Sequence, residues 1–350
     1  MDYLTKAMDS TKMVRVSAID ARDVVEKARQ IHNTSKTASA AFGRTLCAGL
    51  LMASDLKNED DSLTLNIESE SSIGRIVVTC KNDGNIKGYV KNPMADAEIR
   101  ESDHKLDVGS IVGNGTLTVV KDLGLKHPYV GKVNLVSGEI AEDIANYYYV
   151  SEQVRSVVSL GVLVDKDYTI KQAGGFILQL MPYAGEEVIE KIENNLKDLP
   201  SYTEMLEDNM NPEDIINRLL EGFEVNYLDK KPVYYKCDCS REKVISSLIS
   251  LGKKELEEIK EEDEKVEVTC HFCNTEYDFN KEEIDEIIKW FNYRDLIKKS
   301  WLLIYKRVSF FGAQSRNRTS DTRIFSPLLY RLSYLGKYLT RLVYSNIDKK

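Results

Sequence analysis

Two cysteine pairs constrain this chain more than any other feature. Cys237-Asp238-Cys239 precedes Cys270-His271-Phe272-Cys273, with thirty residues between the pairs. No run of about 18 apolar residues predicts a transmembrane helix. The opening MDYLTKAMDSTK has no apolar stretch of the kind a secretory signal carries. A cytosolic protein with no membrane partner is therefore expected, in a compartment that keeps thiols reduced. There, six cysteines read as metal ligands or redox centres rather than as a disulfide framework.

Four clustered thiols point to tetrahedral zinc through Cys237, Cys239, Cys270 and Cys273. The second pair sits at a β-turn, as in zinc ribbons. The first pair has a single intervening residue, which makes both thiolates emerge from nearly extended backbone. A disulfide across so short a loop would be strained, and strained disulfides are the labile, regulatory ones. Zinc holds thiols as nucleophilic thiolates, and in a small unit metal binding is part of the folding free energy. The constellation is compatible with an oxidation-triggered unfolding switch. Spacing alone leaves open an inert zinc staple. His271 reads as a bystander in the turn, since four thiols fill the coordination sphere. Cys47 lies in a small-residue helix and Cys80 in an alternating strand, so both read as buried hydrophobes.

No catalytic signature accompanies the cysteines. The P-loop, G-x-S-x-G, H-E-x-x-H and zinc-deaminase patterns are absent. No nucleotide partner and no enzyme activity are expected. Gly174-Gly175 reads as a bend or bulge beside a strand, and Tyr147 to Tyr149 as helix packing.

Residues 1–182 read as one α+β domain, with mixed sheet and helix in no regular βαβ order. Helices are predicted over about 20–32, 37–54 and 139–149. Strands are expected around Leu63, Ile76 and Tyr89, in a Leu117/Val133 hairpin, and over 157–164 and 176–180. Residues 183–232 read as a thinly apolar helical linker. Val188, Ile189, Ile192 and Leu196 share one face, and Asn211-Pro212-Glu213-Asp214 opens a further helix. Residues 233–290 read as a zinc unit: a helix capped by Ser240, a charged stretch over 253–265, a Val266/Phe279 hairpin, and a capping box at Asn280 and Glu283.

Net charge is −8 over 350 residues. The last sixty carry 13 Lys/Arg, 3 Asp/Glu and no Glu, which leaves a net of −18 on the first 290. So acidic a body argues against nucleic acid as the main partner.

In order along residues 1–290 run Gly115 to Val119 (GTLTV), Pro128 to Gly131 (PYVG), Ser137 to Asp143 (SGEIAED), Ser151 to Gln153 (SEQ), Ala173 to Phe176 (AGGF), Cys237 to Arg241 (CDCSR), Ser250 to Gly252 (SLG) and Cys270 to Cys273 (CHFC). With these segments the chain resembles the redox-regulated heat-shock holdase family, the thirty-three-kilodalton chaperonins. The resemblance implies a cytoplasmic, ATP-independent chaperone. Reduced, it would bind one zinc through the four cysteines and be inactive. Oxidised, it would form the disulfides Cys237–Cys239 and Cys270–Cys273, lose zinc, unfold its metastable linker and hold unfolding client proteins. The resemblance also implies a homodimer on activation.

Residues 291–350 have no counterpart in that family. Gly312 to Gly336 look like the translated complement of a transfer-RNA gene, so this segment reads as a spurious extension, the alternative being a basic arm for RNA or anionic lipid. Two other functions stay in view for the whole chain. One is a zinc-ribbon module for RNA or a ribosomal partner, which the eight acids against four lysines over 253–268 oppose. The other is a thiol–disulfide oxidoreductase, which the missing thioredoxin-like context opposes.

Overall fold

A computed structural model describes residues 2–262 and 265–289. The predicted extension over 291–350 lies outside the described residues. The chain divides into two compact units. The first comprises residues 2–238 with the turn 271–275; the second comprises 239–270 and the described residues from 276 onward.

The first unit opens with a hairpin, β1 (Tyr3–Asp9) and β2 (Val14–Asp20), followed by α1 (Arg22–His32) and α2 (Lys36–Ala53). A meander, β3 (Ser62–Ser69), β4 (Arg75–Lys81) and β5 (Asn85–Val90), leads through the short α3 (Val108–Val112) to β6 (Gly115–Asp122) and β7 (Tyr129–Asn134). Then come α4 (Ala141–Tyr147), a π-helical turn (Tyr148–Glu152), β8 (Ser156–Val164) and β9 (Ile170–Leu180). Three helices follow, α5 (Glu186–Lys197), α6 (Tyr202–Glu207) and α7 (Pro212–Leu219), and then β10 (Val225–Pro232) and β11 (Tyr234–Tyr235).

Two sheets result, in the orders β10-β1-β2-β9-β8 and β11-β5-β4-β3-β6-β7. All pairings in the first unit are antiparallel except β11 with β5. The architecture is α+β, as the mixed order of elements predicts.

Helix α2 explains how the two sheets share one core. Sixteen of its eighteen residues are buried, so it has no solvent face. Its small residues are what permit this. A Cβ at Gly43 would sit 2.8 Å from Val162 on β8, and one at Gly49 would sit 2.7 Å from Cys80 Sγ on β4. The helix therefore touches one sheet at one end and the other sheet further along. Cys47 and Cys80 are both fully buried in this core.

The outer face of the first sheet carries a second core. Ala7, Val14, Val16, Ala18, Phe176 and Leu178 pack beneath Ile192, Tyr202, Met205, Leu206, Ile215, Ile216, Leu219 and Leu220. The segment 183–232 thus spends its few apolar residues on one sheet face. Asn211 caps α7 in a reciprocal box with Asp214, and Ser201 does the same for α6 with Glu204. The stretch Val225–Pro232 is a strand pairing with β1, which its polar, lysine-rich sequence does not announce.

Gly174 and Gly175 are not a bend or a bulge. They stand inside the β9 ladder, opposite Asp20 and Ile19 on one side and Gly161 and Leu160 on the other. A Cβ on Gly174 would come within 2.6 Å of the Tyr202 ring. The bare backbone is what lets Tyr202 lie against the sheet, where its hydroxyl donates to Ile19 O at 2.9 Å. Tyr147 and Tyr148 pack as the sequence predicts, but Tyr149 is 69% exposed.

The second unit contains α8 (Arg241–Leu251), α9 (Lys253–Glu262), the hairpin β12 (Lys265–Thr269) and β13 (Glu276–Asn280), and helical residues 281–289. Ser240 caps α8. Asn280 and Glu283 exchange the two hydrogen bonds of a capping box, at 3.0 and 2.9 Å. Val266 faces Phe279, and Val268 faces Tyr277. The core joins Val244, Ile245, Leu248, Leu256, Phe279, Ile284 and Ile287. Leu256 anchors α9, so Lys253–Glu262 of the charge-dense stretch is a helix with one buried apolar side chain.

Candidate metal centre

The thiols of Cys237, Cys239, Cys270 and Cys273 all lie within 4.8 Å of one another, and each residue is half-buried. Among the described residues this is the one grouping of His, Cys, Asp and Glu side chains close enough to hold a metal ion. Tetrahedral zinc with Zn–S near 2.3 Å asks for sulfur–sulfur separations of about 3.8 Å. A contraction of at most about an ångström meets that demand, so the donor set fits the ion. His271 is not in the cluster; its ring packs on Tyr89, with centroids 5.6 Å apart.

Each pair follows closely on a strand. Cys237 follows β11, whose Tyr234 and Tyr235 run parallel to Asn85 and Ile86 of β5. Asp238 between the first two cysteines forms an ion pair with Lys87 on β5. The Cys270–Cys273 turn closes the β12/β13 hairpin, with Asn274 in the left-handed region at φ 55°. Tyr277 on β13 places its hydroxyl 3.1 Å from Cys239 Sγ, and Cys273 Sγ lies 3.2 Å from Thr275 Oγ1.

Sequence reading singles out the four cysteines that the fold gathers and misses what surrounds them. Tyr235 is 2% exposed. Its hydroxyl lies 2.7 Å from Gly88 O, 2.6 Å from Phe272 O and 3.1 Å from His32 Nε2. Phe272 packs edge-on against Tyr89 and beneath Lys87, while Asn274 Nδ2 donates to Ile31 O at 2.7 Å. The cysteine turn is therefore stitched to β5 and to the end of α1. Aromatic residues adjoining both cysteine pairs were the available signal.

Cys47 and Cys80 are separate from the quartet, and burial pushes both thiols well above the usual range. They stay protonated and inert.

An α+β fold with a four-thiol centre near its C-terminal end defines the class to which the comparisons then give a family. The Hsp33 protein family model matches residues 2–280. The 33 kDa chaperonin of Lachnoclostridium phytofermentans is 45% identical over 287 residues, covering 82% of this chain and 98% of that protein. The 33 kDa chaperonin of Clostridioides difficile is 47% identical over 289 residues, covering 82% and 99%. A crystal structure of the 33 kDa chaperonin of Thermotoga maritima superposes with a TM-score of 0.76 at 40% identity, covering 82% of this chain and 98% of that one. This chain belongs to the Hsp33 family of chaperones.

Among the described residues, no helix is long and apolar enough to cross a membrane.

Proposed function

We propose that this chain is a redox-switched, ATP-independent holdase of the reducing cytoplasm, with no catalytic activity of its own. The observation that carries the proposal is the gathering of four half-buried thiols within 4.8 Å, in a member of a chaperone family. Cys237, Cys239, Cys270 and Cys273 would hold one zinc ion as thiolates. When bound, the ion supplies a tetrahedral cross-link between segments thirty residues apart.

The chemistry of the switch then belongs to the thiolates. Within each pair, two thiolates give up two electrons to a peroxide. With two protons taken up, the peroxide leaves as two waters and one S–S bond forms. Both pairs together, Cys237–Cys239 and Cys270–Cys273, give up four electrons to two peroxides. Sulfurs consumed in disulfides no longer serve as thiolate ligands, so the metal affinity and its share of the folding free energy go together.

The stitching of the turn to β5 gives that loss a route outward. Releasing Phe272 and Asn274 frees Tyr235, β11 and the strand β10 that precedes it. The segment 183–232 is the metastable linker in this reading. Its helices are too short to stand alone, so they leave with β10. The sheet face bearing Val14, Val16, Phe176 and Leu178 then opens to unfolding clients, and activated chains pair as homodimers.

The test is a light-scattering assay on thermally unfolding citrate synthase. Reduced, zinc-loaded protein should leave aggregation unchanged, and peroxide-treated protein should suppress it without ATP. Equal protection by both forms would refute redox control.

A further inference from the structure

A cavity of about 700 Å3 opens in the first unit, and none of its walls comes from the cysteine pairs. That volume falls in the range of about 300–1,000 Å3 typical of small-molecule sites. Its apolar wall comes from Met52 at the end of α2, Leu56 just beyond it, Met181, and Ile189 of α5.

The charges lining the cavity are unevenly matched. Each of the three carboxylates is engaged. Asp55 accepts from Arg15 at 2.8 Å, Glu152 pairs with Lys121, and Asp61 takes the backbone N–H of Asn58 at 3.0 Å. Two cations that line the same cavity, Arg155 and Lys57, have no ion pair among the described residues. Tyr148, in the π-helical turn, also lines the cavity. It is only 6% exposed, and its hydroxyl has no hydrogen-bond partner among the described residues. Burial holds its phenol far above the usual range, so it keeps its proton and can only act as a neutral donor or acceptor. The ring is buried, while the hydroxyl is not among the sealed, unpartnered polar atoms of the structure, so it reaches the cavity, where a ligand or water can meet it.

We propose that this cavity is a binding site for a small amphipathic carboxylate. The apolar chain lies on Met52, Leu56, Met181 and Ile189. The carboxylate meets Arg155, whose guanidinium matches a carboxylate two oxygens at a time, with Lys57 and the Tyr148 hydroxyl as further donors. Because Ile189 belongs to α5 while Met52 and Leu56 follow from α2, an occupant touches both. It binds best while α5 is docked, and so protects α5 by mass action.

The experiment uses the reduced full chain and decanoate, below its micelle-forming concentration, in titration calorimetry. Decanol and decyltrimethylammonium serve as neutral and cationic controls. Decanoate should saturate at one per chain, and both controls should bind at least about tenfold more weakly, the size of one lost charge-assisted hydrogen bond. Arg155→Glu, at an exposed position, should weaken decanoate by about tenfold or more on the same ground. Tyr148→Phe keeps the packing and should weaken it about threefold, as for one neutral hydrogen bond. Saturating decanoate should slow amide exchange across Glu186–Lys197. Equal binding of decanol, an unchanged affinity in Arg155→Glu, or unaltered exchange in α5 would each overturn the proposal. None of these readouts depends on chaperone activity, so failure here leaves the holdase reading standing, and the reverse also holds.

Discussion

The Tyr235 hydroxyl lies 2.6 Å from the carbonyl oxygen of Phe272, a residue inside the second cysteine pair, although the two stand thirty-seven positions apart. The same hydroxyl lies 2.7 Å from Gly88 O and 3.2 Å from Gly88 N. It holds one proton and so satisfies one carbonyl at a time. Tyr235→Phe should keep the ring packing and leave these backbone groups short of a partner, at a cost of about 1–3 kcal/mol. Amide exchange of residues 271–275 should speed up in the reduced variant, and peroxide should oxidise the four thiols faster. Unchanged exchange in that turn would mean the hydroxyl does not restrain it.

The metal centre makes a stoichiometric prediction. Native mass spectrometry of reduced protein should find one zinc per chain, and Cys270→Ser should abolish tight binding, because three thiolates leave the tetrahedron open. Full retention in that variant would exclude Cys270 as a ligand.

The quartet was legible because cysteine spacing is a local signal with few structural meanings. The meander was legible for the same reason: Leu63, Leu65 and Ile67 alternate, and Asn82-Asp83-Gly84 marks the turn. The N-terminal hairpin was missed although Val14, Val16 and Ala18 alternate, since Asp9 organises its turn through hydrogen bonds to Met13 N and Val14 N at 2.7 and 2.6 Å rather than through an Asn-Gly signature. β10 was missed because it is an edge strand paired on one side only, with mostly exposed residues. The Gly174-Gly175 pair was misread because its reason is the Tyr202 ring, far away in sequence. Contacts of that separation leave no periodicity.

Cys47 and Cys80 should be silent toward thiol reagents in the native chain, where they are fully buried. Replacing both with Ala should cost about 1–2 kcal/mol of core packing and leave peroxide activation intact. Folded protein that no longer activates would mean that the switch extends beyond the quartet.

Two carboxylates make opposite contributions to acid stability. Hydrogen bonds from Arg29, at 2.7 and 2.9 Å, hold Glu26 down at about 2 from an ordinary 4.5. Its stabilisation is present above 4.5 and fades as pH falls toward 2. Burial pushes Asp2 up to about 6 from 3.8. Its contribution is full below 3.8 and is lost as pH rises through 6. Urea midpoints against pH should therefore flatten below 4.5 in Glu26→Gln and between 3.8 and 6 in Asp2→Asn. A wild-type profile in either variant would show that the group is not the one titrating.

The covered sheet face sets the strongest test of the proposed switch. Ile216 is fully buried in α7, over the face that carries Val14, Val16, Phe176 and Leu178. Helices α5, α6 and α7 have 12, 6 and 8 residues, which is below or at the margin of independent stability in water. Docking must therefore supply nearly all of their stability. Ile216→Ser removes apolar contacts and buries a hydroxyl, at a cost of roughly 2–5 kcal/mol confined to that docking. The core around α2 uses other side chains and should be untouched. Reduced, zinc-loaded Ile216→Ser should then exchange the amides of 186–219 quickly while those of 36–53 stay protected. An apolar dye should bind, and citrate synthase aggregation should fall without any oxidant. Fast exchange without chaperone activity would mean that uncovering this face is not the activating event, and that clients engage some other surface of the oxidised chain.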